Sequence, residues 1–108
     1  MDAFELSQLI AERAQSNQRY LEFLRVPALS VGLYVLPADG VDGQQPHTED
    51  EVYYVASGRG VFRCAEEDRP VEAGSLLYVA ANVEHRFHSI EQELVILVFF
   101  APAEGSGV

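Results

Sequence analysis

The sequence predicts a small all-β domain, an antiparallel sandwich or barrel preceded by a short N-terminal helix. Three observations predict it. From Tyr20 onward the chain is a succession of short β-rich or alternating runs, YLEFLRV, SVGLYVLP, EVYYVASG, GVFRCAE, SLLYVA, RFHSI and ELVILVFFA, none with the period of a long amphipathic helix. Turn signals separate them: Pro27, ADGVDG at 38–43, Gly58-Arg59-Gly60, EEDRP at 66–70, Ala73-Gly74 and AANVE at 80–84. At 108 residues the chain is long enough for one core and too short for two.

Taken in order, the first element is a helical segment over 1–18. Asp2 and Glu5 form a D-x-x-E capping box, and Phe4, Leu6, Leu9, Ile10 and Ala14 suggest one apolar side. The β domain then occupies 19–101, and PAEGSGV at 102–108 is a flexible tail. The run LVILVFF at 94–100 is apolar at both parities, so that strand needs cover on both faces. One face meets the interior; the other calls for the N-terminal helix or a second subunit, and a homodimer is the expectation.

Composition narrows the partners. Seventeen Asp and Glu against seven Lys and Arg give a net charge of −10, which disfavours nucleic acid and anionic lipid surfaces. The start, MDAFELSQLI, has no basic region ahead of an apolar stretch, and no apolar run is long enough to span a membrane. A cytoplasmic protein is expected. Cys64 is the single cysteine; in the alternating run VFRC it reads as a packed thiol.

The chemistry lies in QQPHTEDE at 44–51. If the stretch from Gln45 to Val55 is extended, Gln45, His47, Glu49, Glu51, Tyr53 and Val55 share one face. Farther on, His85, Phe87 and Ser89 share a face that His88 does not. A glutamate directed into a small barrel is costly unless paired or coordinated. With so few basic side chains, a cation from solution is the natural partner. Imidazole nitrogens and a carboxylate suit Fe, Mn, Ni, Cu or Zn, and two histidines with one carboxylate leave coordination positions open.

In these residues the chain resembles the cupin superfamily of conserved barrels, whose two motifs are G-x5-H-x-H-x(3,4)-E-x6-G and G-x5-P-x-G-x2-H-x3-N. His47, Glu51 and Gly58 fall at the spacing of the first motif's second histidine, glutamate and closing glycine. Gly74 and His85 fit the second motif, with Ala80, Asn82 and Ser89 in place of its proline, second glycine and asparagine. Asn82 is a mild change, because asparagine tolerates left-handed backbone. Gln45 replaces the first histidine, and Gly40 lies one residue closer than the pattern asks. The resemblance covers about 30–101 and implies a jelly-roll barrel holding a divalent metal through His47, Glu51 and His85, with Gln45 either a fourth ligand or a loop amide that supports the site by hydrogen bonding. Zinc phosphomannose isomerases, similar to cupins, also use a Gln-x-His pair.

The expected function is therefore that of a metal-dependent enzyme, dioxygenase-like or otherwise converting a small molecule. Fe(II) is favoured by the two-histidine, one-carboxylate set, with Zn, Mn or Ni as alternatives; a bound Gln45 would favour a non-redox metal. The alternatives in function are a non-catalytic binding or sensor barrel and a zinc-type sugar isomerase. His88 is expected at the surface, Tyr53, Tyr54 and Tyr78 in the barrel wall, Arg63 and Arg86 as exposed strand residues, and GRG at 58–60 as a hairpin turn.

Overall fold

The computed structural model describes residues 1–106. Helix α1 (Leu6–Ser16) is followed by six strands, β1 (Tyr20–Val26), β2 (Leu29–Leu36), β3 (Asp50–Cys64), β4 (Glu67–Glu72), β5 (Leu76–Val79) and β6 (His85–Ala101). All pairings are antiparallel, in the order β1-β2-β6-β3-β4, with β5 also on β3. The mostly β architecture with one short helix agrees with the sequence reading.

The strand count differs for a physical reason. EVYYVASG and GVFRCAE join into β3, and RFHSI and ELVILVFFA into β6, because Gly58-Arg59-Gly60 is not a hairpin turn. It lies within β3, where the register against β6 shifts between Val55 and Val61. Such bulges let a long strand bend while it stays paired. Gly58 has φ +96°, and a Cβ there would meet the Glu93 carbonyl oxygen at 2.0 Å, so the bend needs glycine. The hairpin falls instead at Ala65-Glu66. EEDRP, read as a turn, supplies most of β4; Pro70 is tolerated because β4 is an edge strand.

Inside the barrel, Leu94, Ile96, Val98 and Phe100 of β6 join Tyr53, Val55, Phe62 and Phe87 in one buried cluster. On the outer face Leu9 of α1 packs with Leu33, Val35 and Val95, flanked by Ile10, Phe23 and Leu97. The apolar parity of LVILVFF is thus explained by the interior on one side and α1 with β1 on the other. The helix begins one turn later than the capping box suggests. Its N-cap position is Glu5, with no side-chain capping bond, and Phe4 packs edge-on against Phe23 at 4.9 Å instead. Asn17, left-handed at φ 58°, ends it. Among the described residues no helix is long and apolar enough to cross a membrane.

The chain end is a correction. Through residue 106 it is docked rather than free: the Ala103 amide donates to the Pro27 carbonyl at 3.3 Å and the Glu104 amide to Ser30 Oγ at 2.9 Å. Ala103 is only 1 % exposed. The composition of PAEGSGV is that of a loose tail, but a buried serine hydroxyl on β2 offers its backbone a partner. Residues 107 and 108 lie outside the described residues.

The two motif glycines make a test. Gly74 also has φ +96°, yet a Cβ there would meet nothing within 4 Å. Gly74→Ala should cost only backbone strain, about 1–2 kcal/mol, whereas Gly58→Ala adds a backbone clash and should cost clearly more, both read from urea unfolding midpoints. Equal losses would mean that the close approach at Gly58 relaxes freely.

Candidate metal centre

Three segments build the centre. Glu51 sits at the start of β3, opposite Phe100 of β6 and Val79 of β5. His85 opens β6 opposite Cys64. His47 lies in the loop before β3 and is fixed to the His85 side of the barrel by its own carbonyl, which accepts from the Asn82 amide at 2.6 Å. Asn82 is left-handed at φ 67°, as the glycine-to-asparagine change in the motif implies. The His47 ring stands edge-on to Phe100 with centroids 4.7 Å apart.

One ligand atom from each of His47, Glu51 and His85 lies within 4.8 Å of the others. The side chains of Glu51 and His85 are each 1 % exposed, with His85 Nε2 3.0 Å from Glu51 Oε1. Despite that distance, neither oxygen of Glu51 has a hydrogen-bond partner in acceptable geometry. A buried carboxylate left uncompensated costs about 3–5 kcal/mol, which is a large share of the stability of so small a domain.

Proton positions sharpen this. His85 Nδ1 lies 2.8 Å from the Val83 carbonyl oxygen, which can only accept, so Nδ1 carries a hydrogen. In the neutral ring Nε2 is then a lone pair, and it faces the Glu51 carboxylate and the Tyr53 hydroxyl oxygen, the latter at 3.0 Å. Acceptors facing acceptors in a dry site call for a metal or for one proton held between His85 Nε2 and the Glu51 carboxylate. The donor set, two imidazoles and one carboxylate, suits a divalent transition metal. The residues therefore fit a metal, and Nδ1–H held by a backbone carbonyl is the usual way to present Nε2 to one.

Gln45 is a correction. It is exposed, and its neighbour Gln44 is the glutamine that reaches the centre, accepting from the Tyr53 hydroxyl at 2.8 Å. Residues 40–47 are not strand, so two-residue alternation does not hold there and the inward side chain moves by one. Asp42, within the stretch read as a turn, is buried and anchors this arrangement. Its Oδ1 accepts from the Tyr34 hydroxyl at 2.7 Å and the Gln44 amide at 3.2 Å; Oδ2 accepts from Gln44 Nε2 at 2.9 Å and the Phe87 amide at 2.8 Å. Nothing in the local sequence distinguished Asp42 from an ordinary turn aspartate. Tyr53 was visible in the parity series but belongs to the site as well as to the wall. Burial, then the Glu51 carboxylate, holds its phenol well above the ordinary range.

Glu104, from the docked chain end, is a further residue that the sequence hid. Its Oε2 lies 3.6 Å from His47 Nδ1, a charge contact rather than a hydrogen bond. Burial raises its pKa; His47 opposes this, and Glu22, Glu51 and Glu49 reinforce it. Glu49 is itself buried, and its carboxylate accepts from the Thr48 hydroxyl.

Two cavities adjoin the centre. One, of about 370 Å³, has walls from Tyr20, Tyr34, Val98 and Phe100, with His47, Gln44, Gly43, Arg19 and Glu104 completing it. The other, of about 320 Å³, is polar, and Arg63 and Arg86 line it beside His85 and Gln44. His88 stands apart from the centre, bonded to Asp68 at 2.8 Å.

The metal-free protein should show the proton taking the cation's place. Burial pulls the His85 pKa down, but the Glu51 carboxylate and the Val83 carbonyl outweigh it, and the net direction is above 6.5. The protonated pair therefore stabilises the metal-free fold below about pH 6.5, and that contribution is lost as pH rises through the raised folded-state value. An NMR titration of metal-free protein should place the His85 midpoint above that of a free histidine, and Glu51→Gln should lower it. A midpoint at or below the free value would contradict the acceptor geometry.

Comparison with known proteins agrees with this architecture. Residues 32–100 match the model of the family described as the cupin domain. An uncharacterized protein of Streptomyces coelicolor is 49 % identical over 104 residues, covering 96 % of this chain and 99 % of that one. Among solved structures, the protein TT1209 from Thermus thermophilus superposes with a TM-score of 0.75 at 22 % identity, over 95 % of this chain and 99 % of its own. An RmlC-like cupin from Shewanella frigidimarina gives 0.73 at 17 % identity, over 82 % and 79 %. At these identities the structural likenesses speak for the fold alone.

Proposed function

This chain belongs to the cupin domain family, and on that premise we propose that it is a metal-dependent enzyme converting a small organic molecule, with His47, Glu51 and His85 holding the metal. The observation that carries this reading is the Glu51 carboxylate, buried with neither oxygen in a hydrogen bond of acceptable geometry and one oxygen 3.0 Å from His85 Nε2, beside an apolar-walled cavity that shares His47. With Gln45 exposed, the ligand set reduces to two histidines and one carboxylate, which favours Fe(II) over Zn, Mn or Ni. A bound divalent metal would supply Lewis acidity, and in the case of iron also redox chemistry, at a centre with open positions.

The chain's own residues supply the rest. Tyr20, Tyr34, Val98 and Phe100 offer an apolar wall that would hold the carbon skeleton of a substrate and exclude water. Arg19, pinned by its bond to the Val41 carbonyl at 2.6 Å, is the one arginine lining that cavity. Phe100 and Glu104 restrain His47, and the Val83 carbonyl restrains His85. The apolar wall suits a compact organic acid or ring better than a sugar, and the isomerase reading loses its Gln-x-His pair now that Gln45 is exposed. A binding or sensor barrel remains the second reading, because the cavity could retain a ligand without turnover.

Elemental analysis of protein grown with iron, manganese, nickel and zinc should find about one metal per chain, lost in His47→Ala and in Glu51→Gln. Folded, metal-free protein that cannot be reconstituted would sink the enzyme reading. Retention of ligand through both substitutions would favour the binding barrel.

We also propose a cytoplasmic homodimer formed through the large apolar side chains left exposed on neighbouring strands β3 and β5, namely Tyr54, Leu76 and Tyr78. Light scattering should give twice the chain mass, falling to one chain in Leu76→Asp with Tyr78→Asp; a wild-type monomer at high concentration would refute it.

A further inference from the structure

The hydrogen bonds around the centre run in one direction, and that direction has a consequence for Tyr53. Asp42 can only accept, so Gln44 must turn its Nε2 toward Asp42 Oδ2 and its carbonyl oxygen away. That oxygen, 2.8 Å from the Tyr53 hydroxyl, takes the single phenolic hydrogen. With its hydrogen committed to Gln44, the Tyr53 oxygen presents only lone pairs to His85 Nε2, 3.0 Å away. Glu51 Oε1 is also 3.0 Å from the same nitrogen.

Those separations have a meaning for coordination. Two ligand atoms each about 2.1 Å from one metal ion and at right angles to each other lie about 3.0 Å apart. Both the Glu51–His85 and the Tyr53–His85 pairs have that spacing, whereas a hydrogen bond would require a hydrogen that neither pair possesses in the neutral state. Resting on the metal reading above, we propose that the Tyr53 phenol oxygen is the fourth protein ligand, filling the role the sequence pattern assigns to residue 45. Asp42 and Gln44 act as positioning residues: they draw the phenolic hydrogen outward and leave the oxygen free to face the metal.

The chain thereby replaces a loop side chain, at a position where alternation fails, with one from the rigid strand that already carries Glu51. Two residues along β3 bring Tyr53 to the same face as Glu51, and Phe62 and Phe87 pack edge-on against its ring at centroid distances of 5.5 and 5.1 Å. The ring is held on its flanks, and its oxygen can shift little.

Cobalt(II) titration tests this without reference to any reaction, because the visible absorption of the ion reports the number and kind of its ligands. Wild-type protein should bind one cobalt, and Tyr53→Phe should weaken binding by about tenfold or more while changing the absorption envelope; Gln45→Ala should alter neither. Gln44→Leu, which releases the phenolic hydrogen, should weaken binding with Tyr53 still in place. Should Tyr53→Phe weaken binding with an unchanged spectrum, the tyrosine only steadies His85 and the ligand assignment is overturned. Unchanged affinity and spectrum in Tyr53→Phe overturn it as well, while leaving the three-residue centre intact. If Tyr53→Phe does not fold, wild-type protein with ¹³Cζ-labelled tyrosine settles the point on Zn(II) binding: a tyrosine signal assigned to Tyr53 should move, and its standing still overturns the proposal. Wild-type protein that takes up no cobalt overturns the metal reading and this inference together.

Discussion

The long antiparallel pairing of β3 with β6 is the constraint on which everything else in this chain depends. It runs from Asp50 opposite Ala101 to Cys64 opposite His85, and it bends through the bulged stretch around Gly58 so that two strands serve both halves of the barrel. Their curvature brings residues at the start of each strand, Glu51 and His85, to one interior point. Without the bend, residues at opposite ends of a shared ladder could not meet. A glycine whose absent side chain admits the Glu93 carbonyl therefore matters to the metal centre although it lies outside it.

At that interior point the chain concentrates acceptors. Glu51, the neutral His85 nitrogen and the Tyr53 oxygen converge with no hydrogen to share among them. In water such an arrangement would be tolerable; in a buried site its repulsion and lost hydration disfavour the empty neutral state. The site is in this sense a demand for positive charge. A proton or a divalent ion would meet it, and on the proposed metal reading the two would compete for the same His85 nitrogen. The outward-directed bonds from Tyr53 to Gln44 and from Gln44 to Asp42 keep hydrogens from relieving that demand internally.

The periphery closes the arrangement. The segment beyond β6 folds back over β2, held by Ser30 and Pro27, and places Glu104 beside His47 and in the wall of the larger cavity. The helix α1, in turn, occupies the outer apolar face of β2 and β6, and leaves Tyr54, Leu76 and Tyr78 of β3 and β5 exposed. The division of cover between helix and solvent follows from length: an eleven-residue helix spans only part of the sheet's outer face.

Much of this was legible in the sequence. Alternating runs and turn residues report strands because side-chain direction has a period of two, and two separated motifs at fixed spacing reported His47, Glu51 and His85 because those spacings reflect a strand and a hairpin that recur together. Local pattern failed where the chain is not regular. Gln44 rather than Gln45 turns toward the centre in a stretch without strand geometry, GRG bent a strand rather than ending it, and a tail composed of small residues found a buried hydroxyl. Asp42 and Glu104 carried no signal, since the Tyr34 hydroxyl and Phe87 amide that Asp42 binds and the His47 that Glu104 faces are brought to them by the fold. The sequence by itself determined the barrel class, the acidic surface and three of the groups at the centre. Only the tertiary structure decided which neighbouring atoms accept and which donate, because hydrogen-bond direction depends on partners brought together by strand pairing and not on the order of residues along the chain.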